Sequence, residues 1–281
     1  MLLFPRRQLL EIGDQPWCPP WIIAYIQSCL TSVWNLHIPP FSKTSPAGVA
    51  ANVILENLPG TSSYTFIDLC AGAGGPSSTI ESILNSRTQA QGYPRARLVL
   101  TDLHPNLSQW KAIAKRQENV DYVAGPLDAT KCGRVASPED KECRMLNLCF
   151  HHFDDKAAAS VLRSAVESAD SFIIIEFAQR NFTSLLNILA VTVLPFIHTI
   201  FQYWNSPLHL FFTYFVPLHS FVMGFDGLVS TIRCRTPEEI DTLLRQPGLD
   251  LHGWEFRSGN RMMIMPFLHM YWYMGIKRSD R

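Results

Sequence analysis

The chain has 281 residues, 47% of them apolar and 17% charged, with 24 Lys and Arg against 24 Asp and Glu. Such a chain can bury a substantial core and suits one large α/β domain with an embellishment, which excludes a disordered protein. No basic run is longer than Lys277-Arg278, so there is no electrostatic footprint for a phosphate backbone, and nucleic acid is excluded as a partner.

The start, "MLLFPRRQLLEIGDQPW", lacks the apolar stretch and small-residue cleavage site of a secretory signal and reads as mature protein. The seven cysteines, Cys18, Cys29, Cys70, Cys132, Cys143, Cys149 and Cys234, form no CxxC pair and no His/Cys ligand spacing. Free thiols in a reducing, intracellular compartment are expected, and no metal site. Residues 16 to 58 read as two helices parted by Pro39-Pro40, a helical preface of residues 1–60 that ends at Gly60.

From residue 64 short apolar runs alternate with helical ones: "YTFIDL" (64–69), "STIESILNSR", "ARLVLTD" (96–102), "NLSQWKAIAKRQ", "VDYVAG" (120–125), "CRMLNLCF" (143–150), "DKAAASVLRSAVES" and "SFIIIEF" (171–177). This alternation predicts βαβ units and a mostly parallel sheet, with strands too continuously apolar to have a wet face. The core is placed at residues 61–180. Residues 181–225 then contain no Asp, Glu, Lys or Arg, and 181–230 is expected to be a hydrophobic helical insertion. In 231–281, "TPEEIDTLLRQPG" (236–248) predicts a helix capped by Thr236 and stopped by Gly248. "LDLHGWEFRSG" and "FLHMYWYMGIKR" predict two closing antiparallel strands at the sheet edge.

The turn after the first strand, "FIDLCAGAGGP" (66–76), carries the chemistry. No lysine follows its glycines, so it is not a triphosphate-binding P-loop. Cys70 fills the slot where a dinucleotide fold has its first glycine, and Asp68 just before the turn would face a pyrophosphate badly. That carboxylate suits a cofactor with a cationic amine and no phosphate.

With "LVLTD" ending in Asp102, "LDAT" with Asp128 and Ala129, and "NLCFHHF" (147–153), this turn resembles the motif series of class I S-adenosylmethionine-dependent methyltransferases. It departs from them where the first glycine is Cys70. More narrowly, "DQPWCPPW", "TDLHPN" and the segment around "DGLVS" look like an uncharacterised methyltransferase-like branch of biosynthetic enzymes. The resemblance implies a Rossmann-like sheet with an antiparallel last strand and S-adenosyl-L-methionine as cofactor. It implies cofactor-binding positions at Asp68, Cys70, Gly72, Gly74, Asp102, Leu103, Asp128, Ala129 and Cys149. Asp102 would take the ribose hydroxyls and Asp128 the adenine amine. Each also has a structural reading, Asp102 as a turn former and Asp68 as a cap for the next helix, although that helix starts several residues further on.

His151 and His152 are the candidate catalytic pair, since a neutral imidazole can take a hydroxyl proton near pH 7; the alternative is that one packs against cofactor while the other is surface. Glu176, at the end of the fifth strand, points to the ligand edge or pairs with Arg180. The uncharged run reads as a core element, a lid over a hydrophobic small-molecule substrate, or a membrane contact through residues 182–225, with Pro195 and several polar residues breaking a conventional span. The function expected is methyl transfer, to oxygen by preference, on a hydrophobic small molecule of secondary or lipid metabolism. A non-methylating cyclisation with bound cofactor and a catalytically silent membrane-associated binding protein stay open, and the sequence does not give the oligomeric state. The location expected is cytoplasmic or attached to an internal membrane.

Overall fold

The computed structural model describes residues 2–266 and 268–278. After helices α1 (Pro20–Asn35) and α2 (Pro46–Asn57), strands and helices alternate: β1 (Tyr64–Leu69), α3 (Ser77–Ala90), β2 (Arg97–Leu100), α4 (Leu107–Arg116), β3 (Val120–Tyr122), β4 (Lys141–Asn147), α5 (Asp155–Ser168) and β5 (Ser171–Glu176). Every residue of β1 and β5 is buried. That is the burial expected of strands covered on both faces, and it is why their sequences show no alternation.

The helical insertion follows as α6 (Phe182–Gln202), the short α7 (Pro207–Leu210), a π turn (Phe211–Phe215) and α8 (Leu218–Arg233). Then come α9 (Pro237–Leu244), β6 (Trp254–Ile264) and β7 (Leu268–Lys277). The predicted final strand began at Phe267, which lies outside the described residues. Thr236 caps α9 in a full capping box with Glu239, as its sequence requires. The helix ends at Leu244, earlier than the Gly248 stop expected from sequence. Pro247 disfavours helical geometry at Gln246, so α9 stops ahead of the glycine.

The sheet has seven strands in the order β3-β2-β1-β4-β5-β7-β6, with β1 to β5 parallel and β7 antiparallel to both neighbours. Alternate residues feed two cores. Phe66 packs with Trp34, Ile80 and Trp110 under α1 to α4, while Ile67 and Leu69 pack with Val161, Leu162 and Ile240 under α5 and α9. The order reverses between β1 and β4, and an open parallel sheet binds its ligand at that crevice.

One polar cluster is sealed in the second layer. Glu142 and Arg144, neighbours on one face of β4, are both wholly buried and joined at 2.8 Å. The free carboxylate oxygen of Glu142 accepts from the N–H of Val135 and of Ala136, and Arg144 donates to Ser164 Oγ and to the Gly133 carbonyl. Every charged atom is thus matched, the condition under which a buried ion pair is tolerated.

Candidate active site

At the switch point, four residues of the turn after β1 take left-handed backbone: Cys70 (φ 64°), Gly72 (52°), Gly74 (97°) and Gly75 (38°). Only glycine adopts this freely; Cys70 alone adopts it with a side chain. The N–H of Ala71 donates to the Thr101 carbonyl and that of Thr101 to the Asp68 carbonyl, tying the turn to the end of β2. Asp102 completes the tie, since its Oδ2 accepts from Gly72 N at 2.9 Å and its Oδ1 from His104 N at 2.8 Å. The turn-former reading of Asp102 is therefore realised, and each carboxylate oxygen keeps a lone pair for a further donor. Leu103 beside it is exposed.

Asp68 lies beneath the turn. It is 1% exposed, and its oxygens accept from the hydroxyl of Ser77, the first residue of α3, and from Asn147 Nδ2 at 3.1 Å. The chain curls back, so the helix start that looked too distant in sequence is within reach of this carboxylate. Burial pushes its pKa up to about 7, against the pull of the bonds from Ser77 and Asn147. Asn147, which sequence reasoning passed over, keeps its Oδ1 buried with no partner. An orphaned acceptor of this kind at the ligand edge asks for a donor, and an ammonium group would supply one. Asn147 closes β4 after the apolar pair Met145-Leu146.

Asp128 accepts through one oxygen from Thr130 N and Oγ1, which makes it the cap of a short helical turn whose first residue is the buried Ala129. These two bonds hold its pKa below the usual carboxylate value. A cavity of about 280 Å³ opens beside it, lined by Leu127, Asp128, Lys131, Cys132 and Arg134. The turn itself lies under α1, whose Gln27 and Trp34 approach Gly72 and Gly75.

Beyond β4, Cys149 is buried with its Sγ 3.6 Å from the Leu69 carbonyl. The next residues form a single 3-10 turn, Phe150–His152. His151 is buried and gripped by Glu176, which accepts from its backbone N–H at 3.1 Å and from Nδ1 at 2.8 Å. That carboxylate puts the proton on Nδ1 and leaves Nε2 as the basic atom, 3.7 Å from Glu11. Burial alone would lower the pKa of His151, but the charge and hydrogen bond of Glu176, with Glu11 behind them, raise it above the ordinary 6.5. The expected Glu176–Arg180 pair is absent; Arg180 instead pairs with Glu239.

His152 turns outward to Asp14, 2.9 Å away. The two histidines thus part in role, one in a sealed hydrogen-bond pair and one at the surface.

The N-terminal segment supplies residues that no sequence signal announced. Glu11 and Asp14 both accept from Arg233 Nη1 at 2.8 Å. Donor atoms of His151, Glu176 and Cys234 come within 4.8 Å of one another, as do those of Glu11, His151 and His152, although their spacing in sequence gives no hint of it. The Arg233 guanidinium on Glu11 and the direct His151–Glu176 bond engage these atoms, so the cluster is a charge-paired network.

A seven-stranded sheet in this order, with an antiparallel β7 and a glycine turn at the switch point, decides the fold. The chain has the class I methyltransferase fold. No family model and no curated protein matches it. Solved structures do. An O-methyltransferase family protein from Burkholderia thailandensis matches at 16% identity over 84% of this chain and 57% of its own, with a TM-score of 0.44. The CMeT domain of the citrinin polyketide synthase matches at 12% identity over 96% of this chain and 60% of its own, with a TM-score of 0.47. A SAM-dependent methyltransferase from Aquifex aeolicus matches at 10% identity over 88% and 97%, with a TM-score of 0.44. The chain thus spans a little over half the length of the first two. At such scores these likenesses carry no weight for function, and the class I methyltransferase fold rests on strand order and turn.

Helix α6 of the insertion has inverted polarity. Ser184, Asn187, His198 and Thr199 of α6 are buried, while Leu189, Val193, Ile197 and Ile200 of the same helix are exposed. Helix α8 is mixed: His219, Ser220 and Thr231 are buried together with Val222, Met223 and Val229, while Phe221, Phe225 and Leu228 face out. Inside, Tyr25 of α1 donates or accepts at Thr199 Oγ1 (2.7 Å) and stacks on His219 at 3.7 Å, and Thr213 links Thr199 to His219. At the tip, Phe201, Trp204 and Phe215 are 74, 70 and 84% exposed. Among the described residues α6 is the one helix that is long and apolar enough by itself to cross a bilayer.

Proposed function

We propose that the chain is an S-adenosylmethionine-dependent methyltransferase that methylates a hydroxyl group of a hydrophobic small molecule and meets a membrane through residues 182–225. The observation that carries the reading is the pairing of a cofactor-type turn with a sealed His151–Glu176 dyad two residues beyond Cys149.

The residues fit the cofactor. Asn147, held by the bond from its Nδ2 to Asp68, leaves its orphaned Oδ1 as an acceptor for the ammonium end. Asp102 has lone pairs for ribose hydroxyls, and Asp128 keeps one oxygen clear of Thr130 for an exocyclic amine. Gly72 and Gly74 let backbone approach closely, with Cys70, Leu103, Ala129 and Cys149 as the surrounding wall. When bound, S-adenosylmethionine supplies a methyl group on a sulfonium.

The chain's own residues do the rest. Glu176 fixes the tautomer of His151 so that Nε2 can take the proton of an acceptor hydroxyl, and its negative charge stabilises the imidazolium that results. His152, bonded to Asp14, holds the strap of residues 8–14 over the dyad, helped by Gln8 donating to its carbonyl. Positioning contributes most of the remainder, about 7–11 kcal/mol of barrier being available from orientation alone.

The inverted polarity of α6 and the exposed aromatics support lipid as the medium outside the cap. A core helix buries its apolar face, whereas Leu189, Val193, Ile197 and Ile200 of α6, Phe221 and Phe225 of α8 and the tip aromatics face out, as interfacial residues do in a bilayer. A contiguous exposed apolar face of this kind marks an interaction site. An acceptor dissolved in lipid would then arrive beside the active site without crossing water.

Incubating the protein with S-adenosylmethionine and lipophilic alcohols or phenols in phospholipid vesicles should yield S-adenosylhomocysteine. Binding of cofactor with no such product from any hydroxyl acceptor would favour a rearrangement or a silent binding role. The protein should also co-sediment with phosphatidylcholine vesicles. A Phe201→Ser/Trp204→Ser/Phe215→Ser triple variant should lose at least about tenfold in partition, since losing only about 60 Å² of apolar contact at about 25 cal/mol/Å² already costs that factor. Equal sedimentation of both proteins would sink the membrane half of the reading.

A further inference from the structure

The position that departs from the family pattern, Cys70, is also the one side chain forced into left-handed backbone within the turn. Its neighbour is a second thiol. β1 and β4 are adjacent parallel strands with Leu69 opposite Leu146, so Cys70 leaves β1 next to the end of β4, two residues short of the level of Cys149, and such strands lie only about 4.8 Å apart. Cys149 Sγ sits 3.6 Å from the carbonyl that precedes Cys70. The two side chains share one apolar cluster, and the Cys70 thiol is near enough to shift the proton affinity of the Cys149 thiol. Cys149 is 6% exposed, whereas Cys70 is only partly buried.

We infer that Cys70 and Cys149 form a reversible disulfide that shuts the cofactor site when the protein meets peroxide. Cys70, the more accessible sulfur, gives up its proton and attacks one peroxide oxygen as the thiolate; the O–O bond breaks, the departing hydroxide takes up that proton as water, and Cys70 becomes a sulfenic acid. Cys149 then attacks that sulfur, the S–O bond breaks, and a second water leaves with the Cys149 proton. Two thiols have lost two electrons and one peroxide has gained them. The order follows from environment: the neighbouring Cys70 thiol, then burial, then the carboxylates of Glu176 and Asp68 hold the Cys149 thiol well above its ordinary pKa, so it suits the resolving role and not the first attack. A dithiol reverses the change by exchange.

Closure would act on the turn itself. A disulfide fixes the separation and dihedral of its two sulfurs, and here it would pull the Cys70 side chain onto the end of β4, beside Asn147 and the left-handed Leu148. The methionine end of the cofactor needs that space. The cross-link stands on the packing of Cys149 against Leu69 and Cys70; its effect on cofactor rests on the reading given above.

The test treats the full chain with hydrogen peroxide, maps disulfides by peptide mass spectrometry, and measures S-adenosylhomocysteine binding by calorimetry before and after dithiothreitol. The expected result is a Cys70–Cys149 peptide cross-link and a loss of at least ~10-fold in affinity, both undone by the dithiol. In Cys70→Gly, whose affinity when reduced is its own reference because the residue lines the cofactor site, peroxide should cause no change in affinity and no cross-link. Thiols that both remain alkylatable after peroxide, or that oxidise separately without a cross-link, would overturn the pair. A cross-link with unchanged affinity would overturn the gating. A cross-link in a protein that binds no cofactor even when reduced would instead overturn the cofactor reading and leave the pair standing.

Discussion

His151→Ala should reduce the methyl-transfer rate by about 10²–10⁴ while leaving cofactor affinity within roughly twofold, because the imidazole handles the acceptor proton and touches no atom assigned to cofactor. The buried ring has one nitrogen committed to Glu176 and the other free of hydrogen bonds. In the wild type the base must be neutral to work. Its pKa is raised above 6.5, so the rate should climb with pH through an inflection above that value. Glu176→Gln removes the carboxylate that does most to raise it, and the inflection should move down even as the maximal rate falls. A merely structural histidine would move neither the inflection nor kcat without melting the protein. Unchanged kcat in His151→Ala would remove the dyad from the mechanism.

The second large effect concerns stability. Glu142→Ala should cost about 3–5 kcal/mol, since it strands the Arg144 guanidinium in the core. At a few degrees per kcal/mol that is a fall of roughly 10 °C in Tm, read by circular dichroism. A Glu142→Met/Arg144→Met double variant should recover part of the loss by replacing the pair with apolar volume. Recovery should be incomplete, because the N–H groups of Val135 and Ala136 lose their acceptor in either case. A shift in Glu142→Ala of less than about 2 °C would mean that water reaches this cluster.

Much of this architecture was legible in the residues, for identifiable reasons. "YTFIDL" and "SFIIIEF" are short, apolar and bounded by turn residues, and β1 and β5 fall within them. Pro39-Pro40 separates α1 from α2 because neither residue can donate within a helix. The glycine turn, Asp102 and Asp128 announced themselves by type and by place after a strand. Composition also flagged residues 181–225 as uncharged, but it does not say which face of a helix looks inward. The inversion of α6 is a property of packing against Tyr25 and α8, and only the folded chain displays it.

What escaped was non-local. Glu11 matters because Arg233 meets it from the far end of the chain, and Arg180, one of two alternatives for Glu176 in the sequence, has Glu239 as its partner in space. The network around His151 draws on the N-terminal strap, β5 and α8 together, and no window of sequence contains it. Asn147 sits in a strand that also carries Lys141, Glu142 and Arg144, so its polarity did not single it out.

The claim on which all else depends is that this turn holds S-adenosylmethionine. Calorimetric titration of the reduced protein with S-adenosylhomocysteine, set beside Asp102→Ala, tests it most directly. The wild type should bind one equivalent saturably, and the variant should lose at least ~10-fold in affinity with its circular dichroism unchanged, as expected when hydrogen bonds to a charged group worth about 1.5–3 kcal/mol are removed. Absence of binding by the wild type, or equal binding by the variant, would contradict the account.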